Sequence, residues 1–170
     1  LKANTVFRDY KLKLQYEDLS SGLDFSDALK REVTALAEKY KTQQFTVLHG
    51  DLNSRNVIFN AEDTSFGVID FEQSHVGHPM YDLAYILSEL YMDCLYHGMD
   101  AAPIETLLIR AYTTSNPGFE VENSLNEFKK HLGVQILYRI YGPSKDAWTF
   151  YMEDAEKKMK IIEWAKSLII

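Results

Sequence analysis

Two aspartates and an asparagine carry the chemistry this sequence offers. Residues 47–59 read Val-Leu-His-Gly-Asp-Leu-Asn-Ser-Arg-Asn-Val-Ile-Phe, displaying Asp51 and, five residues on, Asn56. Residues 67–72 read Gly-Val-Ile-Asp-Phe-Glu and place Asp70 at the end of a short β-prone run. An acid, an amide oxygen and a second acid converging at strand ends make a site of hard oxygen donors. Such a site suits Mg²⁺, which takes few protein ligands and keeps water or phosphate oxygens in the rest of its shell. One carboxylate is then left to accept a proton from an attacking hydroxyl. Each of the three alone is ordinary turn chemistry, because Asp and Asn favour loops and strand ends. The three in this order point to function.

The elements that must hold them can be read from periodicity. Thr46–Leu48 predicts a strand ending at His49-Gly50-Asp51, and Val57–Phe59 and Phe66–Phe71 predict a hairpin turning over Asn60–Ser65. Tyr10–Tyr16 alternates apolar and polar and predicts another strand. Phe25, Leu29, Val33, Leu36 and Tyr40 share one helical face. From Tyr81 the pattern is helical, with stripes at Leu83, Leu87, Leu90 and Cys94, and at Val121, Leu125, Phe128 and Leu132. Pro103 opens a helix through Tyr112, and Trp148, Met152, Ala155, Met159 and Ile162 mark a last one. Gly98, Asn116-Pro117-Gly118 and Gly142-Pro143 are stops. The expectation is a helix, a small β element and four helices, an α+β arrangement.

Composition bounds the rest. The chain has 170 residues, 46% hydrophobic and 25% charged, enough apolar material for one domain core. Net charge is −7, which argues against a general electrostatic nucleic-acid binder and suits a cationic acceptor. No apolar run exceeds Leu83–Leu87, so no membrane span is expected. Cys94 is the single cysteine, which forbids an internal disulfide and fits a reducing, cytoplasmic setting.

His49-Gly50-Asp51-Leu52-x-x-x-Asn56, Ile69-Asp70-Phe71-Glu72 and Asp82-Leu83-Ala84, with Asp70 19 residues after Asp51 and Asp82 12 after Asp70, form an ordered set. This set resembles the aminoglycoside phosphotransferase and choline kinase superfamily, relatives of protein kinases that phosphorylate small molecules. The resemblance implies a mainly helical C-terminal lobe of a kinase-like fold, using ATP and Mg²⁺. It implies Asp51 as catalytic base, and Asn56 and Asp70 as ligands of the metal that bridges the ATP phosphates. His49 would orient the loop by packing, Asp82 would brace it by hydrogen bonds, and Glu72 is a candidate substrate contact. Where the family often has Gly-Asp-Pro, this chain has Gly77-His78-Pro79.

The resemblance covers residues 24–170, with 1–23 read as an N-terminal segment or linker. No Gly-x-Gly and no Gly-x₄-Gly-Lys occurs, and 48 residues precede His49, too few for the family's nucleotide-covering N-lobe. That lobe is therefore expected to be missing from this chain, with Leu1 a cut end. Lys11 and Lys13, on the strand-like stretch, lack a glycine loop that would make either a phosphate lysine. An exposed inter-lobe surface would favour a homodimer.

Two other functions stay open on the sequence. One is a stand-alone kinase-like lobe that binds or regulates without phosphorylating. The other is a zinc or iron hydrolase using His75 and His78 with Asp70 and Glu72. Cys94, Trp148, Tyr151 and Met152 read most simply as core, and Arg55 as a solvated loop residue within reach of phosphate.

Overall fold

The structure, a computed structural model, describes residues 5–119 and 124–170. Its first residues correct the strand expected over Tyr10–Tyr16. Helix α1 (Thr5–Leu12) runs through a π-helical turn (Lys13–Glu17) into α2 (Asp18–Gly22). The apparent alternation masked a helical period, because the buried hydrophobics are Leu12, Tyr16 and Leu19, spaced four and three apart. Residues 5–22, expected as a segment or linker, thus feed the same core as the rest.

Helix α3 (Asp27–Thr42) begins where the Ser26 hydroxyl accepts from the Leu29 N–H. Phe25, Leu29, Val33, Leu36 and Tyr40 are all buried, as their spacing predicts. Strands β1 (Thr46–Leu48), β2 (Val57–Phe59), β3 (Phe66–Val68) and β4 (His75–Gly77) make two separate antiparallel pairs. The expected hairpin is β2–β3, with Val57 opposite Val68 and Phe59 opposite Phe66. It ends at Val68 and not at Phe71, since Asp70 turns into the left-handed region at φ 67° and no strand continues through it. The second pair sets Leu48 opposite His75. Sequence reading passes over β4 because three residues ahead of a proline give no period.

Helix α4 (Met80–His97) closes at Gly98, whose φ of 72° fits a left-handed cap. Helix α5 (Ala102–Ser115) takes Pro103 into its first turn. Helix α6 (Leu125–Tyr141) is buried almost all round and forms the centre, packed on α4 and on the last helix. Val121, expected on this helix, lies outside the described residues. The final stripe is two helices and not one: α7 (Lys145–Thr149) and α8 (Ala155–Ser167). Asp154 separates them by capping α8, its carboxylate accepting from the Glu156 and Lys157 N–H groups. Gly133 permits close approach of α6 to α8, for a Cβ there would lie 2.4 Å from the Ala165 carbonyl oxygen.

The result is an α+β, mainly helical lobe with its short strands at one side. The strands are poorly covered: Phe45, Val47, Ile58, Phe59, Phe66 and Phe71 are 56–73% exposed. Among the described residues, no helix is long and apolar enough to cross a membrane.

Candidate active site

The loop after β1 is built from its own polar side chains. Gly50 sits at φ 81°, and a Cβ there would fall 2.2 Å from the Gln73 carbonyl oxygen, so only glycine fits the bend. Asn53 accepts from the Arg55 N–H and donates to the Asp51 carbonyl, forming an Asx turn. A 3₁₀ turn over Ser54–Asn56 then delivers the chain into β2. The Asn56 amide nitrogen donates to the Asp51 carbonyl at 2.9 Å and lies 3.3 Å from Asp51 Oδ2. Asp51 and Asn56 are therefore brought together.

Two partners hold the loop from below. The Asp82 carboxylate, in the first turn of α4, accepts from the His49 N–H at 2.7 Å and the Gly50 N–H at 3.1 Å. Burial drives the Asp82 carboxyl up to about 6, although both backbone donors pull it down. His49 Nδ1 accepts from the Asp51 N–H, which leaves Nε2–H to donate to the Ile69 carbonyl at 2.8 Å. The Ile69 N–H in turn donates to the Asn56 carbonyl. These bonds tie the residue before Asp70 to the loop bearing Asp51 and Asn56. Asp70 itself is exposed, and its left-handed backbone is the kind of outlier that collects at functional sites.

Around Asp51 lie groups that sequence reading missed. Lys11 Nζ reaches Asp51 Oδ1 at 2.6 Å, with side-chain exposures of 8% and 18%. Tyr85 lines the same cavity as Asp51, and its hydroxyl helps lower the Asp51 carboxyl. Burial pushes the Asp51 carboxyl up, but the Lys11 ammonium, with Tyr85 and Arg139 helping, leaves Asp51 below the usual carboxylate range. Burial likewise holds the Lys11 ammonium below its ordinary value, with Asp51 opposing. A helical reading of residues 8–19 would have shown Lys11 beside Leu12 on the buried face.

A cavity of about 340 Å³ opens onto this group, lined by Tyr10, Lys11, Asp51, Asn56, Tyr85 and Trp148 among others. A second of about 530 Å³ shares Arg55 and Trp148 with it and includes Glu89, Arg139 and Tyr151. Trp148, expected as core, forms this shared wall, its ring lying 4.2 Å from the Arg55 guanidinium carbon and 4.1 Å from that of Arg139. Arg139 is held by Ser88 Oγ, the Tyr85 carbonyl and Glu89. Cys94 and Met152 are buried, as expected.

Glu72 is exposed and is not among the residues lining either cavity. His75 and His78 lie in the core. His75 bonds the Gln73 carbonyl and the Tyr40 hydroxyl through its two nitrogens, while His78 Nδ1 accepts from the Met80 N–H. Among the described residues, no three His, Cys, Asp or Glu side chains are grouped to hold a metal. The hydrolase constellation is thus not assembled, because these histidines are bonded elsewhere. Among the described residues the Asn56 amide oxygen takes no hydrogen bond that would compete with a cation, and Asp70, one residue past the Ile69 N–H that bonds the Asn56 carbonyl, offers an exposed carboxylate. Hard oxygen donors of this kind would suit Mg²⁺, which completes its shell with water and phosphate.

No curated protein matches the chain. The profile of the phosphotransferase enzyme family matches residues 4–119, which include the loop, the hairpin, α4 and α5. A match over that much of the chain places it in the phosphotransferase enzyme family.

Proposed function

We propose that the protein is an ATP- and Mg²⁺-dependent kinase that phosphorylates a hydroxyl group of a small molecule. The observation that carries this reading is the pairing of Asp51 with Asn56. The asparagine's nitrogen is tied to the loop, and among the described residues its oxygen takes no hydrogen bond, beside a carboxylate that faces a cavity. Asn56 and Asp70 would hold the metal. Bound there with ATP, Mg²⁺ neutralises phosphate charge and lowers the barrier to displacement. Asp51 then orients the acceptor hydroxyl and takes its proton as the oxygen bonds to the γ-phosphorus and ADP departs. Asp82 and His49 keep the loop in register, which matters because phosphoryl transfer depends mainly on positioning. The exposed hairpin pair Phe59 and Phe66 is where a nucleotide-covering lobe would close. A cytoplasmic setting agrees with the ATP supply and the free thiol of Cys94.

The test is a pair of substitutions in the full-length protein. Asp51→Asn is expected to cut kcat by about 10³-fold while Mg²⁺–ATP still binds. Asp70→Ala is expected to weaken Mg²⁺–ATP binding at low Mg²⁺. An Asp51→Asn protein turning over within about tenfold of wild type removes the base assignment. Wild-type protein that binds Mg²⁺–ATP without turnover on any hydroxyl acceptor is instead a binding module.

A further inference from the structure

We propose that Lys11 is a second catalytic residue, whose ammonium donates to the transferring phosphoryl group while it holds Asp51; the proposal rests on the kinase reading above. Lys11 reaches the site from 40 residues away in sequence, off the last turn of α1 and next to the π-helical turn. Its side chain is 8% exposed, a costly place for a charge that merely needs solvent. An ammonium carries three N–H donors. Asp51 Oδ1 takes one, and no other hydrogen bond of Lys11 is formed among the described residues. The remaining donors belong to a group that lines the 340 Å³ cavity together with Asp51.

The neighbouring cations are committed elsewhere. Arg55 donates to the Ala147 carbonyl and stacks on Trp148. Arg139 is 1% exposed, held by Glu89, Ser88 and the Tyr85 carbonyl, and does not line this cavity, although its Nη1 is buried without a hydrogen bond among the described residues. Lys11 is thus the cation bonded directly to Asp51 in this cavity. A positive charge on a base makes it a weaker proton acceptor, an arrangement that general base catalysis alone would not favour. Phosphoryl transfer asks less for a strong base than for neutralised charge on the phosphoryl oxygens. Lys11 supplies that charge and orients Asp51 with the same group.

The step balances without a further reactant. The acceptor oxygen forms its bond to the γ-phosphorus as the bond from that phosphorus to the ADP oxygen breaks. The hydroxyl proton passes to Asp51 Oδ2, and Lys11 stays protonated throughout, donating to Oδ1 and to a non-bridging phosphoryl oxygen.

The experiment uses the full-length protein as wild type, Lys11→Gln, Lys11→Met and Lys11→Arg. ATP hydrolysis is followed with water standing in for the acceptor, so the acceptor need not be known. Mg²⁺–ADP affinity is measured by calorimetry with and without aluminium fluoride, a mimic of the phosphoryl group in transfer. Gln keeps a donor for Asp51 but lacks the charge. We expect Lys11→Gln and Lys11→Met to lower kcat by about 100-fold and to abolish the affinity gained from aluminium fluoride. Mg²⁺–ADP affinity alone should stay within about threefold, and Lys11→Arg should recover kcat to within about tenfold of wild type. Should Lys11→Met fail to fold, Lys11→Gln and Lys11→Arg still decide. Lys11→Gln with wild-type kcat and intact aluminium fluoride affinity reduces Lys11 to a structural partner and leaves the kinase reading standing. Wild-type protein that hydrolyses no ATP and gains no affinity from aluminium fluoride overturns both.

Discussion

Replacing Asp82 by Asn should change how stability depends on pH far more than it changes stability at pH 7. Asp82 is buried beneath the loop, and its carboxyl rises from 3.8 to about 6 in the fold. Two pH units correspond to about 3 kcal/mol. The folded value lies above the unfolded one, so the favourable contribution is fully present below about pH 4. It is lost as pH rises through about 6. Ionised Asp82 therefore costs the native state about 3 kcal/mol at pH 7 relative to the protonated form.

Asp82→Asn removes that titration. The amide offers one oxygen to the His49 or Gly50 N–H and turns its own N–H₂ toward the other. One orphaned backbone donor costs about 1–3 kcal/mol, which the relieved burial of charge roughly offsets at pH 7. The variant should thus lie within about 2 kcal/mol of wild type at pH 7 and be worse by about 3 kcal/mol more at pH 4. Urea unfolding of both proteins at pH 4, 5, 6, 7 and 8 measures the difference, in which titrations common to both cancel. Parallel stability curves from pH 4 to pH 7 would refute the assignment of a raised Asp82. The same variant should lower kcat about tenfold or more at pH 7, since loop position and not global stability is affected.

Two further substitutions probe the frame around the site. Gly50→Ala combines a positive φ with a Cβ only 2.2 Å from the Gln73 carbonyl oxygen. It should cost about 2 kcal/mol or more in thermal unfolding and misplace Asp51, whereas a wild-type melting curve would contradict the loop geometry. Tyr16→Phe removes the hydroxyl that bonds His131 Nδ1 at 2.6 Å and accepts from Gln135. Both partners are buried, so a loss of about 1–3 kcal/mol is expected, read as a lower Tm, and an unchanged Tm would show that the pair carries nothing.

The candidate site residues were legible because they are local. Asp51 and Asn56 share one turn, and Asp70 and Asp82 follow at short intervals on the elements that the hairpin and α4 supply. The buried face of α3 was equally plain, for five apolar residues at helical spacing can hide on one side in only one way. Failure came where two periods fitted the same residues. Tyr10, Leu12, Leu14 and Tyr16 alternate as a strand would, yet Leu12, Tyr16 and Leu19 also fit a helix, and packing against α3 and α6 chose the helix. The last stripe was split by the Asp154 cap, a side chain-to-backbone bond that outweighs continuity of pattern.

By itself the sequence determined the candidate site residues, their order along the chain and the mainly helical lobe that bears them. Residue type and spacing suffice for that, since turns, caps and amphipathic faces are short-range. Only the tertiary structure decided which side chains surround Asp51. Lys11 joins it across 40 residues, His75 and His78 turn into the core and away from any metal, and Trp148 leaves the expected stripe to stand between two arginines. Each of these depends on which helices pack together, because a charge becomes a partner only when burial removes its water.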